Sequence, residues 1–146
     1  YALFRHNHKM SKYNSKKVEY EWIKFDSKVE MEYYIYLKSR DCIQDIKIQP
    51  SYILQNKFVT GAGEKIQAIK YIADFEIVSE WWLVDVVDIK WLATETAKLK
   101  RKLFLYEHPD KALSWIVKYK GERVDYFDNE KRKRDNKKIK HEKVNI

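Results

Sequence analysis

The chain has 146 residues, 45% hydrophobic and 15% aromatic, enough for one domain with a real core. Its formal charge of +8 points to a polyanionic partner, with nucleic acid ahead of an anionic membrane surface. No apolar run approaches the ~18 residues of a membrane span, no secretory leader is legible, and the single cysteine, Cys42, excludes an internal disulfide and a multi-cysteine zinc site. The expectation is a soluble protein of a reducing, cytoplasmic compartment, with Cys42 as a small buried apolar side chain.

Residues 1–10, with His6 and His8, read as a tag or disordered arm ahead of Met10 and Ser11. A domain is expected over 11–127 and a basic tail over 128–146. Val18 to Phe25 alternates as a strand or hairpin. Ser27 then opens a helix to about Ser39, with Val29, Tyr33, Tyr34 and Leu37 at helical spacing. Glu30, three residues after Ser27, completes a capping box, and that structural role accounts for it on spacing alone. Residues 43–54 alternate as a strand broken at Pro50, which cannot donate to a ladder. Gly61 to Lys65 superficially suggests a phosphate loop, but the required Gly-x-x-x-x-Gly-Lys-Ser/Thr pattern is absent and a flexible hairpin connection is predicted.

Residues 71–90 form the centre of the pattern: two strands joined by a turn near Glu80 to Trp82, each carrying an acid into an apolar run. An antiparallel pairing about that turn brings Asp74 close to Asp88, with Lys90 one step along on the same side. Two carboxylates at ~4 Å repel by about 4 kcal/mol at an effective dielectric of roughly 20, so the pair calls for a cation, a shared proton or a wider gap. A hard divalent ion such as Mg2+ or Mn2+ answers that need, because one or two carboxylates with substrate phosphate suffice to hold it. Asp74 and Asp88 supply those oxygens, the Ile89 backbone carbonyl a further one, and Lys90 a compact ammonium to hold the attacking water and stabilise charge on phosphorus.

Thr94 to Glu107 is predicted as a helix with Leu99, Leu103 and Tyr106 on its inner face and Lys98, Lys100, Arg101 and Lys102 crowding the rest. Leu113 to Tyr119 is one more strand, ended by Gly121. From Asn129 the chain becomes strongly basic. Lys131, Arg132, Lys133, Arg134, Lys137 and Lys138 read as a solvated run suited to backbone phosphates. The order of elements is that of an α/β chain with a mixed sheet and helices on its faces.

Together these stretches resemble the PD-(D/E)XK nuclease superfamily, and more closely its small phage and prophage proteins catalogued as a domain of unknown function. The resemblance spans roughly residues 11–108. It is carried by Ile23-Lys24-Phe25-Asp26-Ser27-Lys28-Val29-Glu30, Ile48-Gln49-Pro50, Tyr71-Ile72-Ala73-Asp74-Phe75, Val86-Val87-Asp88-Ile89-Lys90 and Lys98-Leu99-Lys100-Arg101-Lys102-Leu103-Phe104. It implies a restriction-endonuclease-like core, a mixed sheet of four to five strands flanked by helices. It also implies a site of Glu30, Asp74, Asp88 and Lys90, and adds Glu30 as a carboxylate that orients metal waters.

The implied activity is a Mg2+- or Mn2+-dependent DNA endonuclease of phage type, acting in the bacterial cytoplasm and similar to Holliday junction resolvases. Branched DNA such as a four-way junction is the implied substrate, and a symmetric cut there would require a homodimer. Ala73 replaces the superfamily's Pro, Asp88 its more frequent Glu, and Trp91 a small residue after the Lys. Trp91, with a ring able to crowd the substrate path or stack on a base, favours the alternative: a nuclease-fold DNA-binding module with little or no catalysis. For Trp81 and Trp82 in the turn, apolar packing or a dimer contact is favoured over base stacking.

Overall fold

The structure, a computed structural model, describes residues 16–90 and 92–144, without the side chains of 138–144. The His6 and His8 pair, the Met10 and Ser11 start and Trp91 lie outside the described residues. The described residues divide into two compact units, parted between Ser39 and Arg40.

In the first unit, β1 (Val18–Tyr20) and β2 (Ile23–Phe25) pair as an antiparallel hairpin. Its two-residue loop, Glu21 and Trp22, has φ of 49° and 67°, the left-handed pair that matches the strands' twist. Ser27 caps α1 (Lys28–Lys38) by accepting the Glu30 N–H. Tyr33, Tyr34 and Leu37 are its buried positions, and Phe25 meets the Tyr34 ring at 5.3 Å between centroids.

The second unit is built on a long bent hairpin. One arm is β3 (Ile43–Ile48) continued by β4 (Ser51–Gln55), and the other is β7 (Ile69–Ile72) continued by β8 (Phe75–Ser79). Gln49 has φ of 50°, and Pro50, without an N–H, cannot extend the ladder. The facing arm bends at Ala73 and Asp74, so both arms turn in step. The Gln49 N–H donates to the Asp74 carbonyl at 2.9 Å, and the Ala73 N–H to the Pro50 carbonyl at 3.1 Å. Before the bend β3 pairs with β8, and beyond it β4 pairs with β7 as a separate ribbon that carries β5 (Phe58–Val59) and β6 (Lys65–Ile66) toward its tip.

The main sheet has the order β11-β10-β9-β8-β3, with β9 at Val84–Ile89, β10 at Ala112–Tyr119 and β11 at Glu122–Asp125. All its pairs are antiparallel except β9 with β10, whose crossover is α2 (Glu95–Glu107). This is an α/β arrangement, a five-stranded mixed sheet with helices, consistent with a restriction-endonuclease-like core. The strand β11 was not legible in the sequence: Lys120 and Gly121, at φ of 50° and 87°, turn β10 back into a partner with almost no apolar content. α3 (Tyr126–Val144) packs its first turns on β10 and β11 through Tyr126 and Asn129, and the basic run is its exposed continuation.

The core joins the ribbon to the sheet: Tyr52, Leu54 and Tyr71 meet Val86, Phe104, Leu113 and Trp115. It corrects the expected inner face of α2. Leu99 and Tyr106 are 58% and 80% exposed, whereas Phe104 is fully buried, with Ala97, Leu103 and Leu105 against the same core. Arg101 also turns inward, because its guanidinium finds aromatic faces there; an apolar count misses this. Cys42 is exposed rather than buried, in the turn before β3 where its carbonyl accepts the Glu80 N–H. Among the described residues, no helix is long and apolar enough to cross a membrane.

Phe104→Ala is expected to cost about 3–5 kcal/mol in urea denaturation, while Leu99→Ala and Tyr106→Ala stay within roughly 0.5 kcal/mol of the parent. Equal losses at all three positions would contradict this placement of the helix.

Candidate active site

Asp74 sits at the bend between β7 and β8, and Asp88 near the end of β9. The β8–β9 register runs from Val78 opposite Val84 to Phe75 opposite Val87, about the turn expected from sequence. One residue on, the Asp74 N–H donates to the Val87 carbonyl at 3.1 Å, and Asp74 Oδ2 accepts the Ile89 N–H at 2.5 Å. Asp74 therefore brackets Asp88, bonded to the residue before it and the residue after it. The bend makes this possible, since it turns a ladder position into a side chain that caps the neighbouring strand.

Asp88 is buried, and a carboxylate there needs compensating charge and donors. Lys90 Nζ lies 2.5 Å from Asp88 Oδ2, and the Tyr71 hydroxyl donates to the same oxygen at 2.6 Å. Trp115, opposite Asp88 on β10, donates its indole N–H to the Tyr71 oxygen at 2.8 Å. Burial first, and then the charge of Asp88, push the Tyr71 hydroxyl far above its ordinary pKa, so it remains a proton donor. Lys90 Nζ also stands 5.5 Å from the Trp115 ring centroid. Arg101 faces Trp115 and Phe127 at 5.8 and 4.5 Å, with its Nε buried and without a hydrogen bond.

Both described bonds to Asp88 fall on Oδ2, which leaves Oδ1 outside them. In a strand the N–H and C=O of one residue point to the same side, so the Ile89 carbonyl is directed toward the edge where its N–H meets Asp74. Two carboxylates and a carbonyl form an all-oxygen donor set that suits a hard ion completed by waters and phosphate. Among the described residues, no three His, Cys, Asp or Glu side chains are grouped to hold a metal by themselves.

Glu30 belongs to the first unit, where Oε1 accepts the Ser27 hydroxyl at 2.7 Å and Oε2 the Asp26 N–H at 3.1 Å. Its carboxylate is thus occupied as a helix cap. Burial raises its pKa against the opposing pull of those bonds. The expected phosphate-binding residues are placed differently from one another. Lys98 pairs with Glu95 at 2.7 Å, Lys100 donates to the Lys70 carbonyl at 2.9 Å, Arg101 is turned inward, and Lys102 is exposed. Lys131, Arg132, Lys133, Arg134 and Lys137 are exposed along α3, with Lys133 also paired to Glu130, while the Lys138 side chain lies outside the described residues.

A second buried acid, Glu76, is not singled out by the sequence. It is buried on β8, where it accepts from Lys47 at 2.6 Å and from the Tyr52 hydroxyl, with Lys111 at 3.5 Å. Burial acts to raise its pKa, but the bonds from Lys47 and Tyr52 and the charges of Lys111 and Lys47 outweigh it and hold Glu76 below its ordinary value. A strand acid looks alike in sequence whether solvated or buried, and only partners far along the chain distinguish the two.

The family described as Protein of unknown function (DUF1064) matches residues 10–123. The chain belongs to that family. No curated protein and no solved structure matches it.

Because the folded pKa of Glu76 is depressed, its contribution to stability is present above the unfolded carboxylate value and is lost as pH falls through the folded one. Glu76→Gln is therefore expected to be less stable than the parent at neutral pH and to flatten the loss of stability below about pH 4.5 in acid denaturation. An unchanged acid limb would contradict the assignment.

Proposed function

We propose that this member of the DUF1064 family is a metal-dependent DNA endonuclease of the PD-(D/E)XK type. The observation that carries the reading is the bracketing of Asp88 by Asp74, with Lys90 on the Asp88 carboxylate. Asp74, Asp88 and the Ile89 carbonyl are the groups to hold Mg2+ or Mn2+. When bound, such an ion neutralises a phosphate oxygen and lowers the pKa of a water.

The chain's own residues supply the rest. Tyr71 and Lys90 fix Asp88 Oδ2, so the carboxylate keeps one orientation. Lys90, the cation on Asp88, would orient a water for attack and stabilise charge developing on phosphorus. The exposed basic side of α3 and Lys102 suit the DNA backbone, through counterion release and without reading bases. Glu30 lies in the first unit, and the resemblance alone gives it a part in the proposal. Branched DNA is the substrate class, and a symmetric cut would pair two copies of the chain, with Trp81 and Trp82, 81% and 77% exposed in the β8–β9 turn, as the contact.

Two observations favour a second reading, a nuclease-fold DNA-binding module with little catalysis. Asp88 already has a cation and a hydroxyl on one oxygen, and no third acid is grouped with the pair among the described residues.

Asp74→Asn, Asp88→Asn and Lys90→Ala are each expected to lower magnesium-dependent cleavage by at least about 100-fold when assayed well below each variant's own melting temperature. The assay uses four-way, duplex and single-stranded DNA with magnesium, manganese or chelator. Full activity in the Asp88 variant would overturn the reading, and a parent that binds DNA without cutting it would establish the binding module instead.

A further inference from the structure

Apart from Tyr71, the ribbon of β4, β5, β6 and β7 has no part in the chemistry above, yet it runs directly into Asp74. Its inward side is committed to the core through Tyr52, Leu54 and Tyr71, and the Lys100 ammonium fastens its backbone to α2 at the Lys70 carbonyl. The outward side and the tip are exposed. Ile53, Phe58, Val59 and Ile72 present apolar surface, interleaved with Lys57, Lys65 and Lys70. From residue 51 to residue 72 the only acid is Glu64, so the ribbon is cationic as well as apolar.

The tip is the hairpin connection expected from sequence, closed by a set of turn bonds. The Thr60 N–H donates to the Glu64 carbonyl and the Gly63 N–H to the Thr60 carbonyl, both at 2.9 Å, and the Glu64 N–H reaches the Thr60 hydroxyl at 3.1 Å. Gly63, at φ of 82°, occupies the left-handed position that closes such a turn. Gly61 is different. Its φ is not left-handed and nothing lies within 4 Å of where a Cβ would stand, so the folded chain itself does not require glycine there. A bare backbone at an exposed cationic tip fits close approach to a partner surface.

We propose that this ribbon is a duplex-binding arm: it lies in a groove of the DNA, with Lys57, Lys65 and Lys70 on phosphates, Phe58 and Val59 against the groove wall, and the Gly61 backbone close to the sugar-phosphate chain. A two-stranded ribbon is one of the two elements the major groove admits. The inference rests on the nuclease reading, since it takes DNA as the partner. Lys65 is nine residues before Asp74, so its backbone lies within about 30 Å of that acid, roughly nine base pairs of duplex. The arm thereby sets how much duplex on one side of the cut the protein must hold.

The test uses the full chain with two variants, the double change Lys57→Ala with Lys65→Ala and the single change Gly61→Asp, whose side chain enters open space. Kd for a 30-base-pair duplex is measured across a salt series in chelator, with footprinting and cleavage at saturating DNA. The lysine variant is expected to bind more weakly and to reduce the slope of log affinity against log salt by about 1.8. Gly61→Asp is expected to weaken binding about 10-fold, and both are expected to shorten the footprint on one side while cleavage at saturation and the melting temperature stay at parental values. A parent that cuts DNA, with both variants binding as it does, would overturn the arm and leave the nuclease standing. A parent with no affinity for DNA would overturn both. Loss of self-association in the variants with unchanged DNA binding would make the tip a contact between copies and overturn the arm.

Discussion

A carboxylate buried inside a sheet has to be neutralised where it stands, and much of the second unit is arranged around meeting that requirement at Asp88. Lys90 supplies the charge from just past the end of the same strand, and Tyr71 supplies a hydroxyl from the ribbon. Tyr71 in turn takes the Trp115 indole N–H, so β7, β9 and β10 are tied together through one acid. Trp115 then offers its face to Lys90 and Arg101. Removing the acid alone would leave Lys90 and Tyr71 without their partner, so the network couples the stability of the sheet to the candidate chemistry.

The second constraint is the bend shared by the two arms of the long hairpin. Without it, Asp74 would be an ordinary ladder residue. With it, the Asp74 carboxylate reaches the Ile89 N–H, and the ribbon leaves the main sheet to cover the core at Phe104. The same deviation thus builds an acid pair and frees an arm. Pro50 and Gln49 on one side and Asp74 on the other are where the sequence departs from regular strand, in keeping with bends that re-aim a side chain.

The acid-bearing hairpin was legible because period-two alternation and a short turn together determine register, and a turn centred near Trp81 leaves little freedom. Pro50 likewise announced its break. The inner face of α2 was misread because Leu99 and Tyr106 are apolar yet exposed, while Arg101 is charged yet turned to aromatic rings. No hydrophobic count registers a cation held by π faces. β11 escaped because Glu122-Arg123-Val124-Asp125 carries no strand pattern and owes its state to β10 beside it. The Glu76 cluster was hidden for another reason: its partners Lys47, Tyr52 and Lys111 come from separate elements, and only the fold brings them to one carboxylate. Cys42, taken for a core side chain on residue type, is exposed because the chain turns there to enter β3.

The proposed catalytic reading turns on whether Asp74 and Asp88 share an ion. The most direct measurement is a crystal structure of the full chain grown with manganese, with the ion located by anomalous scattering. The account predicts a peak within about 2.3 Å of oxygens from both Asp74 and Asp88 and of the Ile89 carbonyl. No peak at these residues, with Lys90 still on Asp88 and manganese bound elsewhere or not at all, would contradict it.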